Sequence, residues 1–315
     1  MKKSNNNKKK KKQKLFDAEK EKRITKFTGI LPLGNYQRDY FIGYPYRYWL
    51  HKGRALMHFV EDRSRLSTSL RLPKDNDTDD FIIENLKMEI HMMVFHSAES
   101  LFLTVLGHYF YPDMPWFWMS TCTQNKFNNI MNLWQEKGLE AIIKEPEKWL
   151  RDALYPTINE SHEKYQKTKE SAKFAKKYLD RLAQEYMRHR EYSAYKHGLR
   201  VFPGQRHVQS PDEATGEVAA AEAIQGGDIL EFLRYELLAG QDYKYRVEYA
   251  LKKYDVNVDI NIISITTWLL QNFFEKKRVE SKAAPGQEVT FNSVLLDNFK
   301  VEDIFRLGYL AETSV

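Results

Sequence analysis

The sequence predicts a mainly α-helical fold, a helical bundle with a small C-terminal α+β extension. Three observations support this prediction. Residues 81–110 are apolar on every side in their middle turns, which is typical of the central helix of a bundle. Residues 157–197 contain no Gly or Pro, so one long helix fits between Pro156 and Gly198. Alternation of apolar and charged residues in segment 243–251 indicates a strand.

The positive charge of the chain is concentrated at its N-terminus. The formal net charge is +6, but residues 1–14 hold eight Lys and no acid, so the rest of the chain carries −2. A block of like charge at a terminus predicts a disordered, solvated tail, here residues 1–23. Lys2 to Lys14 would give this tail non-specific contact with nucleic acid. The chain as a whole, with 42% hydrophobic and 14% aromatic residues, is predicted to fold.

Cysteine content and apolar segments indicate the expected environment. Cys122 is the single cysteine, which excludes an internal disulfide and fits a reducing compartment, so a cytoplasmic protein is expected. The most apolar segment, residues 88–106, is long enough to span a membrane, but Glu89, His96 and Glu99 would make that costly. The segment is therefore predicted to be a buried helix, and no membrane partner is expected.

Residues 24–80 are predicted to be an irregular, aromatic-rich segment that packs on the bundle. Gly and Pro interrupt this segment and no period persists, so loops are expected, with one short helix over residues 49–59. Residues 73–80 supply turn residues and acids that suit the start of a helix.

Residues 81–202 are assigned to the bundle core. Pro112 and Pro115 follow the central helix and end it. A second helical pattern comes next and is broken at Gly138 and Pro146. In the third helix, residues 157–197, Thr157 or Asn159 is the expected N-cap.

The C-terminal part changes in character. Residues 203–241 are polar and Gly-rich and are predicted to be a linker with a short helix. Residues 242–315 are assigned to the α+β extension. Here the alternation of the predicted strand continues through residues 256–262, and a helix is expected over residues 264–278.

The inward face of the third helix changes from apolar to polar along its length. At about 100° per residue, its core stripe consists of Phe174, Ala175, Tyr178, Leu179, Leu182 and Tyr186. Toward the C-terminus the same sector carries His189, Arg190, Ser193 and His197. Burying such groups without partners costs about 1–3 kcal/mol each. They are therefore predicted to have polar partners or to lie at an opening in the bundle.

Polar residues of a suitable kind occur on the central helix. Glu89, His96 and Glu99 stand among apolar neighbours, and His96 and Glu99 are one turn apart. We predict that the two polar sets pack against each other. In that arrangement Glu99 or Glu89 would orient His197 or pair with Arg190.

The segment REYSAYKH, residues 190–197, resembles the R-X4-6-H motif of the HEPN superfamily. In that superfamily the motif lies on a helix of an all-α bundle, many members are metal-independent endoribonucleases, and active sites often form at a homodimer interface. The resemblance implies a ribonuclease, such as a toxin or defence effector, with RNA as substrate, a homodimer as assembly and no metal or cofactor. It implies Arg190 and His197 as the catalytic residues.

The chemistry of Arg190 and His197 suits this role. Seven positions return to nearly the same helix face about 10 Å along the axis, so both side chains can reach one phosphodiester. Arg190 would hold phosphate oxygens, and His197 would act as general base on a ribose 2′-OH or as general acid on the leaving 5′-oxygen. Two further groups are predicted around the pair: substrate-binding Tyr192, Tyr195 and Lys196, and supporting His96, Glu99, His189 and Ser193.

A structural interpretation of the same residues is open. His197 in the last turn before Gly198 would interact favourably with the helix dipole and its final carbonyls. Arg190 would form an ion pair with a Glu. The protein would then be a non-catalytic binding or scaffold protein in which these residues form a buried polar network.

A metal-binding bundle is a third interpretation. Its candidate ligands are Glu89, His96 and Glu99 of the central helix with His162, Glu185 or His189 of the third. Carboxylate-bridged bundles use Glu-x-x-His pairs on two helices. The chain has the reversed order once, from His96 to Glu99, and lacks a clean second copy.

Overall fold

The structure, a computed structural model, confirms a mainly α-helical bundle. It describes residues 33–70, 76–156, 158, 160–188, 192, 195, 201–203, 209–211, 218–220, 228–237, 245–282, 292–305 and 313–314. The chain divides into two units, one formed by Met1–Tyr44 and Lys277–Val289, the other by Pro45–Lys276 and Thr290–Val315. The polar residues of the predicted central helix belong to the second unit.

Much of the segment predicted to be irregular is helical. Helix α1 spans Leu33–Gly43, α2 spans Tyr48–Glu61 and α3 spans Arg63–Leu70. The short helix predicted over residues 49–59 is confirmed as α2, whereas the expectation of loops is wrong for α1 and α3. Gly43 and Pro45 lie where α1 ends and α2 begins, and Gly53 is buried inside α2, so these residues do not break the helices. Gly43 ends α1, and the turn before α2 is closed by a bond from Tyr48 N to Pro45 O of 2.8 Å.

The central helix is present as α4, Asn76–Phe110, and begins five residues before its predicted start. Its middle turns are buried on all sides, with side chains such as Ile90, Met93 and Leu101 fully enclosed. It packs against α2 and against the short helix α5, which spans Pro115–Thr121. It also packs against the long helix over Tyr165–Arg188. By length and composition α4 could cross a membrane, but most of its most apolar window is buried inside the protein.

The second helical pattern forms two helices, as predicted. Helix α6 spans Gln124–Lys137 and α7 spans Pro146–Leu154, with Pro146 in the first turn of α7. Gly138 ends α6 with a φ of 74°, a conformation that favours glycine. The hydroxyl of Thr123 caps the start of α6 by accepting from the backbone of Lys126.

The third predicted helix is α8, Tyr165–Arg188. It begins eight residues later than predicted, because residues 160–164 form turns closed by a bond from Tyr165 N to His162 O. Its predicted core stripe is confirmed, since Ala175, Tyr178 and Leu179 are completely buried. Beyond Arg188, Tyr192 and Tyr195 are helical residues.

Two small antiparallel sheets follow α8. The strands are β1, Val201–Pro203; β2, Gln209–Pro211; β3, Val218–Ala220; β4, Asp228–Leu237; β5, Tyr245–Tyr254; and β6, Thr313–Ser314. In the four-stranded sheet β4 and β5 form the main hairpin, with Phe232 opposite Ala250, and β1 and β6 flank them, whereas β2 and β3 pair with each other in the second sheet. The strand predicted over residues 243–251 overlaps β5, whereas β4 occupies part of the segment predicted to be a linker with a short helix.

The predicted α+β extension is not confirmed, because the helix after β5 belongs to the core. Helix α9 spans Val256–Lys282, so the expected continuation of strand structure through residues 256–262 is wrong. The carboxylate of Asp255 initiates α9 by accepting from the backbone of Asn257 at 2.8 Å. The hydroxyl of Tyr178 donates to the carbonyl of Ile262 at 2.8 Å, which joins α8 to α9. A last short helix, α10, spans Val301–Ile304.

Candidate functional site

The polar residues of α4 lie against two tyrosines from the segment after α8. Tyr192 donates its hydroxyl to Glu99 Oε2 at 2.8 Å and lies 2.9 Å from His96 Nδ1. Tyr195 donates to Glu89 Oε2 at 2.5 Å. These bonds join α4 to the segment after α8, the two elements whose polar residues are predicted to meet. The side chains that make these bonds from the second element are tyrosines.

The two atoms that bond the Tyr192 hydroxyl determine where its proton lies. The phenol has one proton, and an ionised Glu99 can only accept, so this proton is donated to Glu99. His96 must then donate its Nδ1 proton to the phenol oxygen.

Helix α2 adds a tryptophan and a lysine to the cluster. The Trp49 ring stacks on His96 with 5.0 Å between centroids and 8° between planes, and its Nε1 donates to Ser100 Oγ at 3.2 Å. Lys52 Nζ lies 2.6 Å from Glu89 Oε1, so Glu89 bonds a cation and a phenol at once. Neither residue was predicted for the site, although their spacing of three on a predicted helix indicates a shared face.

The two tyrosines differ in burial. Tyr192 is 5% exposed and its ring stacks on Phe95 at 5.1 Å. Burial, and then the nearby Glu99 carboxylate, raise the pKa of Tyr192 well above its ordinary value. Tyr195 is half-buried, and burial followed by its bond to Glu89 raises its pKa to about 12. Both phenols therefore stay protonated at neutral pH and remain donors.

The cluster reaches solvent at one end, as a binding or active site does, and is enclosed at the other, as a core network is. Its members are Trp49, Lys52, Glu89, His96, Glu99, Tyr192 and Tyr195. Glu89 and Lys52 are about one third exposed, with values of 28% and 33%, so the Glu89 end reaches solvent. The Tyr192 end is enclosed.

No family model, curated protein or solved structure matches the chain. The function of the cluster is therefore inferred from its own chemistry.

Several residues predicted for the site lie outside the described part of the chain. These are the proposed catalytic pair Arg190 and His197, with His189, Ser193 and Lys196. The described members are His96, Glu99, Tyr192 and Tyr195, and the structure brings all four together through the bonds to Tyr192 and the ring contact of His96 with Tyr195 at 6.5 Å. In this arrangement the ring of Tyr192 faces the interior.

The third interpretation, a metal site, has no support in the described residues. In the part of the chain that the structure describes, no three His, Cys, Asp or Glu side chains converge as a metal site requires. Glu185, one of the candidate ligands, pairs with Arg181 on its own helix at 2.5 Å. The carboxylates of the candidate site are likewise bonded to side-chain donors, Glu89 to Lys52 and Glu99 to Tyr192.

Proposed function

We propose that the protein is a HEPN-like, metal-independent endoribonuclease in which Arg190 binds the scissile phosphate and His197 is a general acid or base. The observation that carries this proposal is the pair of bonds from Tyr192 to Glu99 and from Tyr195 to Glu89. Both tyrosines lie between Arg190 and His197 in sequence. Two residues of the motif are therefore anchored to the polar face of α4, beside His96.

The proposed reaction transfers the phosphorus from one ribose oxygen to another. The 2′-oxygen attacks the adjacent phosphorus and the bond to the 5′-oxygen breaks, which leaves a 2′,3′-cyclic phosphate and a 5′-hydroxyl. The proton of the 2′-OH passes to the general base, and the leaving 5′-oxygen takes a proton from the general acid. His197 carries out one of these transfers, and Arg190 stabilises the charge that develops on the phosphoryl oxygens.

The charge balance around Glu89 is compatible with an anionic substrate. A free carboxylate near a phosphodiester would repel it. Here Lys52 lies 2.6 Å from one Glu89 oxygen, and the Tyr195 hydroxyl donates to the other. Much of the negative charge of Glu89 is thereby compensated before a substrate arrives.

Incubation of the full-length protein with RNA in EDTA tests this proposal. Wild type is expected to release 5′-hydroxyl and 2′,3′-cyclic phosphate ends and to leave DNA of the same sequence intact. Arg190→Ala and His197→Ala should each reduce the rate on the order of 10²–10⁴-fold. Lys173→Ala, at an exposed position of α8, is the matched control and should retain activity. Absence of cleavage by wild type, or equal cleavage by all variants, would contradict the proposal.

The burial of Tyr192 favours a second candidate, a non-catalytic binding or scaffold protein with a buried polar network. Its ring packs in a cluster with Met92, Phe95 and Tyr254, where a structural role is sufficient to explain the bond to Glu99. In that case Arg190→Ala and His197→Ala should lower the melting temperature by several degrees while wild type fails to cleave RNA. The cleavage assay and the melting curves together separate the two candidates.

A further inference from the structure

Helix α2, together with its N-cap residue Arg47, carries a straight row of Arg and His side chains on its exposed face. Arg47, His51, Arg54 and His58 are spaced by four, three and four positions, and all are exposed. At 100° per residue they fall within a sector of about 60°, and the row extends about 16 Å along the helix. We call these four residues the basic row. No Asp or Glu occurs in residues 40–60, although the chain without its first 14 residues has a net negative charge.

The start of α2 adds to the positive potential of the basic row. Its first turn contains no acidic residue and its N-cap position, Arg47, makes no side-chain capping bond. The positive end of the helix dipole therefore lies beside the first cation of the row. Arg47 donates to Gln271 Oε1 at 3.3 Å and lies 5.4 Å from the ring of Tyr46, yet it remains exposed.

Aromatic rings connect the basic row to the candidate site. Tyr48, which is 50% exposed, lies beside the row and meets the ring of Trp49 edge-on at 4.8 Å. Trp49 in turn stacks on His96. Two Arg cations, His rings that can donate to phosphate oxygens, and an adjacent exposed aromatic ring form the combination by which proteins hold single-stranded nucleic acid, through phosphate contacts and base stacking.

We infer that the basic row binds the phosphate backbone of single-stranded RNA and that Tyr48 stacks on one of its bases. The choice of RNA rests on the proposed ribonuclease function. Successive members of the row are about one helical turn apart, so that they can contact successive phosphates of one strand. The exposed residues of this face are Arg, His, Tyr and Ala, and it lacks the large aliphatic side chains by which an amphipathic helix enters a membrane.

Binding is tested with the full-length protein and a fluorescein-labelled 12-mer of 2′-O-methyl uridine, which cannot undergo attack by a 2′-OH. His51→Glu/Arg54→Glu should raise its Kd at least about tenfold at 0.1 M salt and reduce the slope of log K against log salt by about 0.7 per lost phosphate contact. Tyr48→Ala should raise the Kd roughly tenfold with little change in that slope. Lys173→Glu/Lys177→Glu, a larger change of charge at exposed positions of α8, is the control and should leave the Kd within about twofold.

The same variants distinguish failure of this inference from failure of the proposed function. With cleavable RNA, the His51→Glu/Arg54→Glu variant should show a raised KM and an unchanged kcat. Normal cleavage with unchanged binding by this variant would overturn the inference and leave the proposed function standing. RNA binding that depends on the basic row, without any cleavage by wild type, would support the inference and overturn the proposed function. Binding to vesicles of anionic lipid that depends on the basic row, without RNA binding, would overturn the inference in favour of a membrane partner.

Discussion

Nδ1 of His91 and Oδ2 of Asp259 lie 3.0 Å apart in the interior of the protein, where their side chains are 0% and 1% exposed. This bond joins α4 to α9, two helices whose contacting residues are far apart in sequence. The His91 ring also contacts Tyr254 at 4.8 Å and Phe95 at 5.4 Å. Because strand structure was expected through residues 256–262, Asp259 was not predicted to lie in the core.

Removal of one partner of this buried pair should be strongly destabilising. Asp259→Ala is expected to lower the free energy of unfolding by about 3 kcal/mol, because it removes the buried carboxylate that His91 Nδ1 bonds. Chemical denaturation measures the change. The double variant His91→Leu/Asp259→Leu removes both polar groups and should be more stable than Asp259→Ala alone. If the double variant were the less stable of the two, this explanation would be wrong.

The two tyrosines of the candidate site should contribute unequally to stability. Tyr192→Phe removes a buried hydroxyl bonded to Glu99 and His96, and should cost about 2 kcal/mol. Tyr195→Phe removes a hydroxyl from a half-buried ring whose partner Glu89 keeps Lys52, and should cost less than about 1 kcal/mol. Thermal unfolding of the two variants makes the comparison, and equal losses would contradict it.

The carboxylate of Asp180 should be important for the turn between α6 and α7. Its Oδ1 accepts from Trp134 Nε1 and from the backbone of Leu139, both at 2.9 Å, and its Oδ2 pairs with Lys176 at 2.9 Å. Asp180→Ala should cost about 2–3 kcal/mol in denaturant unfolding, because it leaves two donors without their acceptor.

The conservative change at the same position provides the control. Asp180→Asn keeps an oxygen that can accept from Trp134 and Leu139 but loses the charge that pairs with Lys176. It should therefore cost less than half as much as the alanine substitution. Equal costs would show that the ion pair with Lys176, rather than the bonds to the turn, carries the stability.

Stability should decline as the pH rises above 10. Burial raises the pKa of Tyr155 from its ordinary value of 10.0 to about 12. Between these two values the unfolded chain loses a proton that the folded protein keeps, so that unfolding becomes more favourable as pH rises. Tyr155→Phe should make the slope of the unfolding free energy against pH shallower between pH 10 and 12. The change in slope should be at most the contribution of about one proton. Denaturant unfolding at several pH values measures this slope, and an unchanged slope would contradict the assignment.

The helices of the bundle could be predicted well, because their signals are local. The run of apolar residues in α4, the stripe of α8 and the breaks at Gly138 and Pro146 all follow from helical periodicity and from the backbone limits of Gly and Pro. The predictions that were wrong concern the segments where such signals conflict. The alternation after Asp255 indicated a strand, yet Asp255 caps a helix and residues such as Ile262 and Ile263 are buried against the bundle.

The sequence by itself determined a helical bundle, a polar set on α4 and a polar sector in residues 189–197. It also determined that these groups need partners, because burying them alone is costly. Only the tertiary structure decided that Tyr192 bonds Glu99, that Tyr195 bonds Glu89, and that α2 supplies Trp49 and Lys52. The bond from Tyr192 to Glu99 joins residues 93 positions apart, and such pairings depend on how helices pack, which no local pattern encodes.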